Sequence, residues 1–442
     1  MSNSSSQRTR IVIIGAGFGG LQAAQSLSGA DAEVLLIDRH AHHTFIPLLY
    51  QVATAQVEPT QVVYPVRTLL RGSPNVRFLM SEVHRVDFHS QIIETDHSLV
   101  SYDYLLLATG GKTTFQGVAG AARYGLPLRS IDDAIAIRNH IITRLEQATG
   151  EGNFQERQRL LTFTIVGGGA TGVELAGALL EWMRGAMGRD YPELRHLPAR
   201  IILLQSGDQL LPDLPKKLGK YTAKKLRRLG VEVYLQTKVE RVSETGIMLS
   251  EGRFIEAGTV IWTAGQGATY PQSREAVATA SKGKVCVNSS LQLLEYPNVY
   301  AIGDVAYILQ NRKPLIGVAP EALQAGVQVA KNLRRQLQGK SPKPFRYFNK
   351  GRLAIIGCYT GVGYIAGVAF TGVVAWLMWL GVHFVYLPGF RNRLLLLLSW
   401  VQGYLFADRP VRLILPATQP MTKGELSISL ASEQPDSGND SV

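Results

Sequence analysis

RIVIIGAGFGG, residues 10–20, decides how the first part of the chain folds. Residues 10–14 form a short apolar run rich in Ile and Val, the pattern of a strand buried in a parallel sheet. Gly15, Gly17 and Gly20 follow at G-x-G-x-x-G spacing, and LQAAQSL continues as a helix. The first glycine permits a tight turn, the second lets backbone approach a pyrophosphate, and the third lets helix pack on strand. The helix start then offers unpaired N–H groups and a positive dipole end to phosphates. The next apolar run, EVLLID, ends on Asp38, with Arg39 directly after it. A carboxylate at that place suits a ribose 2′-hydroxyl.

The chain writes the same plan again. LTFTIV leads to Gly167, Gly169 and Gly172, then to a helix, VELAGALLEWM, and a further strand, ARIILLQ, ending on Gln205. An amide there still bonds a ribose hydroxyl but does not repel a 2′-phosphate, so this second site should tolerate NADPH as well as NADH. The duplication extends further. YDYLLLATGG (102–111) and GTVIWTAGQG (258–267) each run from a strand into a small-residue turn, which makes Thr109, Gly110 and Gly265 candidate cofactor-binding positions. NVYAIGDVA (298–306) is another strand, with Asp304 just beyond Gly303.

With 442 residues the chain has room for two or three domains. Its net charge of +12 suggests an anionic partner, whether phosphorylated ligand or acidic membrane face; no nucleic-acid motif accompanies it. Cys286 and Cys358 are the only cysteines, without ligand spacing, so neither a disulfide framework nor a metal site is expected. MSNSSSQRTR lacks an apolar segment, so no secretory signal is expected and the body belongs in a reducing cytoplasm.

HHTFIPLLYQVAT (42–54), GVAPEALQAGVQVAKNL (317–333), YFNKGRLAIIG and GVVAWLMWLGVHFVYLPGFRNRLLLLLSW complete the pattern. With the two cradles, they resemble the two-dinucleotide flavoprotein reductases, and among these the type II NADH:quinone oxidoreductases, over roughly residues 8–415. That resemblance implies an α/β fold of two nested Rossmann-like domains, for FAD and NAD(P)H, plus a C-terminal membrane-associating region. FAD would bind residues 10–118 and 269–345, NAD(P)H residues 119–268, and a membrane residues 346–412, with disordered ends at 1–9 and 413–442. It implies hydride transfer from NADH or NADPH to flavin N5, then two electrons to a membrane quinone; since no polar residues line a credible spanning helix, no proton pumping is expected. Asp38 would hold the adenosine ribose, and Asp304 would lie by the ribityl and pyrophosphate. Glu174 and Gln324 would be catalytic. Glu174 lies two residues past Gly172, where the first helical turn is expected, and would assist proton delivery to the quinone. Ala319, Pro320, Gln324 and Gln51 would line the quinone site. Pro320 departs from the family pattern by replacing a glutamine, and it cannot donate a hydrogen bond to a quinone carbonyl. The family also admits a homodimer.

Residues 357–390 contain no Asp, Glu, Lys or Arg. The glycine-rich early part alternates like strands, residues 370–387 read as a helix, and residues 394–406 are too short to cross a bilayer back. A single crossing would leave Arg391, Arg393, Arg409 and Arg412 on the far side from the body, against the positive-inside preference. An in-plane hairpin over residues 370–408 avoids this. It would put Trp376, Trp379 and Trp400 at the headgroup boundary and the arginines against anionic lipid, anchoring the protein on the cytoplasmic face. His42, His43 and His383 are expected to be packed or interfacial residues rather than ligands or bases. Three rivals remain: a sulfide:quinone oxidoreductase working through Cys286 and Cys358, a soluble reductase of an electron-carrier protein, and a redox-dead nucleotide-sensing scaffold.

Overall fold

Each glycine fingerprint sits at the end of the central strand of its own five-stranded parallel sheet. The computed structural model describes residues 8–405, 409 and 411–415, so the ends expected to be disordered fall mostly outside it. In the first sheet Arg10–Ile14 lies between Glu33–Asp38 and Tyr104–Leu107, with Val76–Met80 and Val299–Ala301 outermost. In the second, Thr162–Val166 lies between Arg200–Leu204 and Thr259–Trp262, with Glu232–Tyr234 and Leu126–Pro127 outermost. Both central strands are buried nearly throughout, as runs without alternation require. Each sheet also carries a three-stranded antiparallel meander: Val83–Asp87, Ile92–Thr95 and Leu99–Ser101 in the first, and Val239–Ser243, Gly246–Leu249 and Phe254–Glu256 in the second.

The sheets nest because each takes its fifth strand from outside its own continuous stretch. Val299–Ala301 returns to the first sheet after the whole second unit, and Leu126–Pro127 joins the second before its fingerprint begins. Where the chain passes between the units, Gly111–Thr113 pairs antiparallel with Gln266–Ala268.

The two cradles are alike in atomic detail. Gly15 and Gly167 turn at φ of 105° and 118°, values that side chains resist. A Cβ on Gly20 would lie 1.9 Å from the Gly15 carbonyl oxygen, and one on Gly172 would lie 1.8 Å from that of Gly167. Beside Gly17 and Gly169, by contrast, no atom lies within 4 Å of the Cβ position. The outer glycines therefore close helix on strand, and the middle one leaves the backbone open to a ligand.

The C-terminal part forms a three-stranded sheet (Arg352–Gly357, Thr360–Ile365, Val368–Thr371) followed by helices Gly372–Tyr386 and Phe390–Leu405. It shares one hydrophobic core with the second unit and with residues 45–62. Helix Ala170–Arg189 lies directly on this sheet, because Gly177 leaves room for the Ile356 carbonyl.

Two expectations for this region are corrected here. Trp376, Trp379 and Trp400 do not face outward; all three are buried against the body. Polar partners draw two of the indoles inward: Trp379 Nε1 donates to Glu174 at 3.0 Å and Trp400 Nε1 to Gln51 at 2.9 Å. Nor do all four arginines look outward. Arg409 is buried on Glu181 at 3.4 Å and on the Thr54 and Ala178 carbonyls, and Arg412 pairs with Asp190. Arg393 donates to the Leu387 and Val385 carbonyls at the end of the preceding helix. Arg391 is the one of the four left exposed. A half-buried carboxylate and backbone carbonyls are stronger partners for a guanidinium than composition alone reveals.

The glycine geometry makes a stability prediction. Gly172→Ala should destabilise the protein by about 1–3 kcal/mol, because a fixed backbone atom occupies the added volume. Gly169→Ala, which meets open space, should stay within roughly 0.5 kcal/mol of the parent in denaturant unfolding.

Candidate functional site

A cavity of about 450 Å³ lies where the two units and the C-terminal region meet. Gly17 and Phe18 line it from the first cradle; Ala170, Thr171 and Glu174 from the second. Gly110, Gly303 and Asp304 add the turns after two strands of the first sheet. Ala319 and Pro320 open the helix Ala319–Leu337 along another wall, and Trp379, Val382, His383 and Tyr386 close the side toward the C-terminal helices.

Asp38 and Gln205 hold matching posts. Asp38 Oδ2 accepts from the Ala16 N–H at 2.6 Å, and Gln205 Oε1 accepts from the Gly168 N–H at 3.0 Å. Ala16 and Gly168 are the second residues of their respective fingerprints, so each side chain braces the same point of its glycine loop. Arg39 is exposed beside Glu82 at 4.0 Å. The Thr109 hydroxyl donates to the Thr269 carbonyl. Gly265 lies against Thr114, where the chain crosses between the units, and does not line the cavity.

Asp304 forms an ion pair with Arg129, which also lines the cavity. Sequence reading overlooked Arg129. Its signal was local: Ser130 and Asp133 make a capping box that starts helix Ile131–Gly150 and leaves Arg129 on the preceding loop.

Glu174 is the buried acid of the site. Its Oε1 accepts from Trp379 Nε1 at 3.0 Å and from the Ile355 N–H at 3.3 Å. Burial nevertheless dominates and raises its pKa from 4.5 to about 8, so the carboxyl holds its proton at neutral pH. One expectation about its placement is corrected: Glu174 is the fifth residue of helix Ala170–Arg189 and lies past the first turn. Desolvation rather than the helix dipole governs it.

Gln324 and Gln51 lie away from the cavity wall. Gln324 exchanges two 2.9 Å hydrogen bonds with the backbone of Phe348 and borders an adjoining cleft. Gln51 is fully buried, donating to the Tyr50 hydroxyl at 3.0 Å and receiving Trp400. Pro320 occupies the first helical turn, where no backbone N–H is needed, and Glu321 caps that turn through the Gly317 and Val318 N–H groups. His43 is buried edge-on to Phe18, and His383 stacks on Trp379 at 3.8 Å. Neither cysteine lines the cavity. Burial pushes the Cys358 thiol up to about 11, away from the thiolate that sulfur redox chemistry needs.

The family model of pyridine nucleotide-disulphide oxidoreductases matches residues 9–326. The type II NADH:quinone oxidoreductase Ndh of Mycobacterium tuberculosis is 37% identical over 420 residues, 91% of this chain and 89% of that protein. NDH2 from Plasmodium falciparum, solved in complex with NADH, has a TM-score of 0.85 at 20% identity, over 92% of this chain and 100% of that one. The sulfide:quinone oxidoreductase of Aquifex aeolicus reaches 0.71 at 16% identity, over 88% and 92%. At those identities the two structures show the fold.

The buried acid makes stability depend on pH. Between about pH 4.5 and pH 8 the folded state keeps the Glu174 proton that the unfolded chain releases. Stability from this group is therefore full below the unfolded pKa and falls as pH rises toward 8. Glu174→Gln should abolish that fall, gaining on the parent by a few kcal/mol between pH 4 and pH 9. Urea titrations of both proteins across that range check it.

Proposed function

Because this chain belongs to the type II NADH:quinone oxidoreductases, within the pyridine nucleotide-disulphide oxidoreductase family, we propose that it holds FAD in its first unit and NADH or NADPH in its second, and works from the cytoplasmic face of a membrane. One observation carries this reading: a single cavity touches both cradles and is walled by a helix whose outer side is apolar and exposed.

The residues suit FAD. The open backbone at Gly17 would take the pyrophosphate and Asp38 the adenosine ribose, with Gly110, Asp304 and Arg129 along the remainder. Gly169 and Gln205 would do the same for the nicotinamide dinucleotide. When bound, FAD supplies the hydride-accepting and electron-donating chemistry that side chains lack. The chain's own residues exclude water, hold the rings and deliver protons. Glu174 is a neutral acid at working pH and therefore a proton donor to an acceptor in the cavity. Ala319 and Pro320 would border a quinone without bonding it, while Gln324 and Gln51 act at one remove, holding residues 345–350 and the second C-terminal helix in place.

Membrane contact would come from the outer faces of helices Gly372–Tyr386 and Phe390–Leu405. Val374, Leu377, Val385, Phe390 and Leu398 are exposed there, Phe390 by 82%. Among the described residues no helix is long and apolar enough to cross a membrane, which favours in-plane contact. The proposed reaction moves electrons to the quinone without proton pumping.

Anaerobic stopped-flow measurement tests the assignment: NADH should bleach a bound flavin and an added quinone should restore its colour. Glu174→Gln should slow the second phase by about 10²-fold and spare the first. NADPH should also serve; a preference for NADH of roughly a thousandfold, about 4 kcal/mol, would contradict the role given to Gln205. Lysine at Val385 and Leu398 should abolish flotation with anionic vesicles, each exchange forfeiting about 1.5–3 kcal/mol of apolar burial. Unchanged flotation would refute the proposed membrane face.

A further inference from the structure

We propose that His383 Nε2 is the hydrogen-bond acceptor in the cavity that recognises a ring-borne hydroxyl group, and so selects the hydroquinone product over the quinone. This rests on the quinone reading above and adds to it the residue that distinguishes the two redox forms.

The orientation of the ring is fixed on three sides. It lies on the Trp379 indole with centroids 3.8 Å apart and planes at 20°, and it meets the Phe45 ring edge-on at 6.2 Å. Its Nδ1 lies 2.8 Å from the Trp379 carbonyl oxygen. A carbonyl only accepts, so Nδ1 must carry the hydrogen. In the neutral imidazole Nε2 then has a lone pair and no proton. Burial, with no acid against the ring, lowers the pKa to about 4, so the neutral form holds at physiological pH.

Nε2 has no hydrogen-bond partner in the described protein, yet it is not among the sealed, unpaired polar atoms. His383 lines the cavity, so the lone pair is left for whatever occupies it.

The same wall carries the opposite capability. Glu174 Oε1 is engaged by Trp379 Nε1 and by the Ile355 N–H, which leaves the proton of the neutral acid to the other oxygen. That oxygen also lacks a protein partner. Trp379 thus positions both groups, one through its ring nitrogen and one through its carbonyl. A quinone offers only acceptor oxygens and can pair with the Glu174 donor but not with His383. A hydroquinone offers O–H donors and can pair with His383. Neighbouring Val382 adds no polar group, and Pro320 has no N–H. The Tyr386 hydroxyl, farther along the same wall, already accepts from Lys350 Nζ at 3.0 Å, so beside Trp379 the acceptor at His383 is what tells the two redox forms apart.

The test uses the full-length, flavin-loaded enzyme. Steady-state inhibition by trimethylhydroquinone is compared with inhibition by its dimethyl ether, which keeps the shape but cannot donate. The parent should bind the hydroquinone more tightly than the ether by about three- to tenfold, the range for one net hydrogen bond. His383→Phe, which retains a ring on Trp379, should erase that advantage by weakening the hydroquinone more than the ether. His383→Gln, which restores an acceptor, should recover it. An advantage that persists in His383→Phe, or equal weakening of both compounds, overturns the proposal. So does a parent that turns over quinone yet binds the two compounds alike, whatever the variants do. A parent whose flavin is bleached by NADH but reoxidised by no quinone would instead overturn the assigned function. Should His383→Phe fail to retain flavin, the parent and His383→Gln decide the matter.

Discussion

Two helices stand against the strands that feed them with no room for a methyl group between. The contacts of Gly20 with Gly15 and of Gly172 with Gly167 set this distance. Everything else in the centre follows from it. The close approach brings each helix start to the end of its central strand, where free N–H groups and the dipole favour phosphate. Since both units obey the same constraint, Gly17 of the first loop and Ala170 and Thr171 at the start of the second helix border one shared space, the cavity.

The C-terminal region is part of that centre rather than an appendage to it. Its tryptophans, Arg409 and the backbone of Ile355 and Ile356 reach into the second unit, and Trp379 bonds the acid on the second cradle's own helix. Removing residues 370–408 would thus strip a wall from the cavity and take the Trp379 donor from Glu174. Separating membrane contact from catalysis calls for changes on the outer faces alone.

Legibility in the sequence followed the range of the interactions. Strand, glycine turn, helix and the post at Asp38 or Gln205 lie within a few dozen residues of one another, and the pattern placed them correctly in both units. The exchange of fifth strands could be expected only through the resemblance, which put residues 119–268 in the second unit and 269–345 in the first; by local pattern Leu126–Pro127 and Val299–Ala301 look like any short strand until pairing is known. The inward turn of the tryptophans was hidden for a different reason. Helix Gly372–Tyr386 is apolar on nearly every side, so periodicity could not say which face is inside. The choice rests on partners far off in the chain: Glu174 is 205 residues from Trp379, and Gln51 is 349 from Trp400. Arg409 likewise looked like surface charge because Glu181 is 228 residues away. Among the site residues, Gly17, Gly110, Glu174, Asp304, Ala319 and Pro320 came to the cavity, Asp38 and Gln205 brace the glycine loops, and Gln324 and Gln51 went to hydrogen bonds that hold neighbouring segments.

Helix Gly372–Tyr386 presents Trp379 and His383 to the cavity and Leu377 and Val385 to the outside. Only the thickness of one helix, about 10 Å, then lies between the chamber and the lipid it is proposed to meet. A greasy electron carrier would step sideways from one medium into the other with no aqueous passage between. Its supply would be governed by abundance per unit of bilayer area rather than per volume of solution, so diluting the carrier with inert lipid should starve the enzyme even when the total amount in the sample is unchanged.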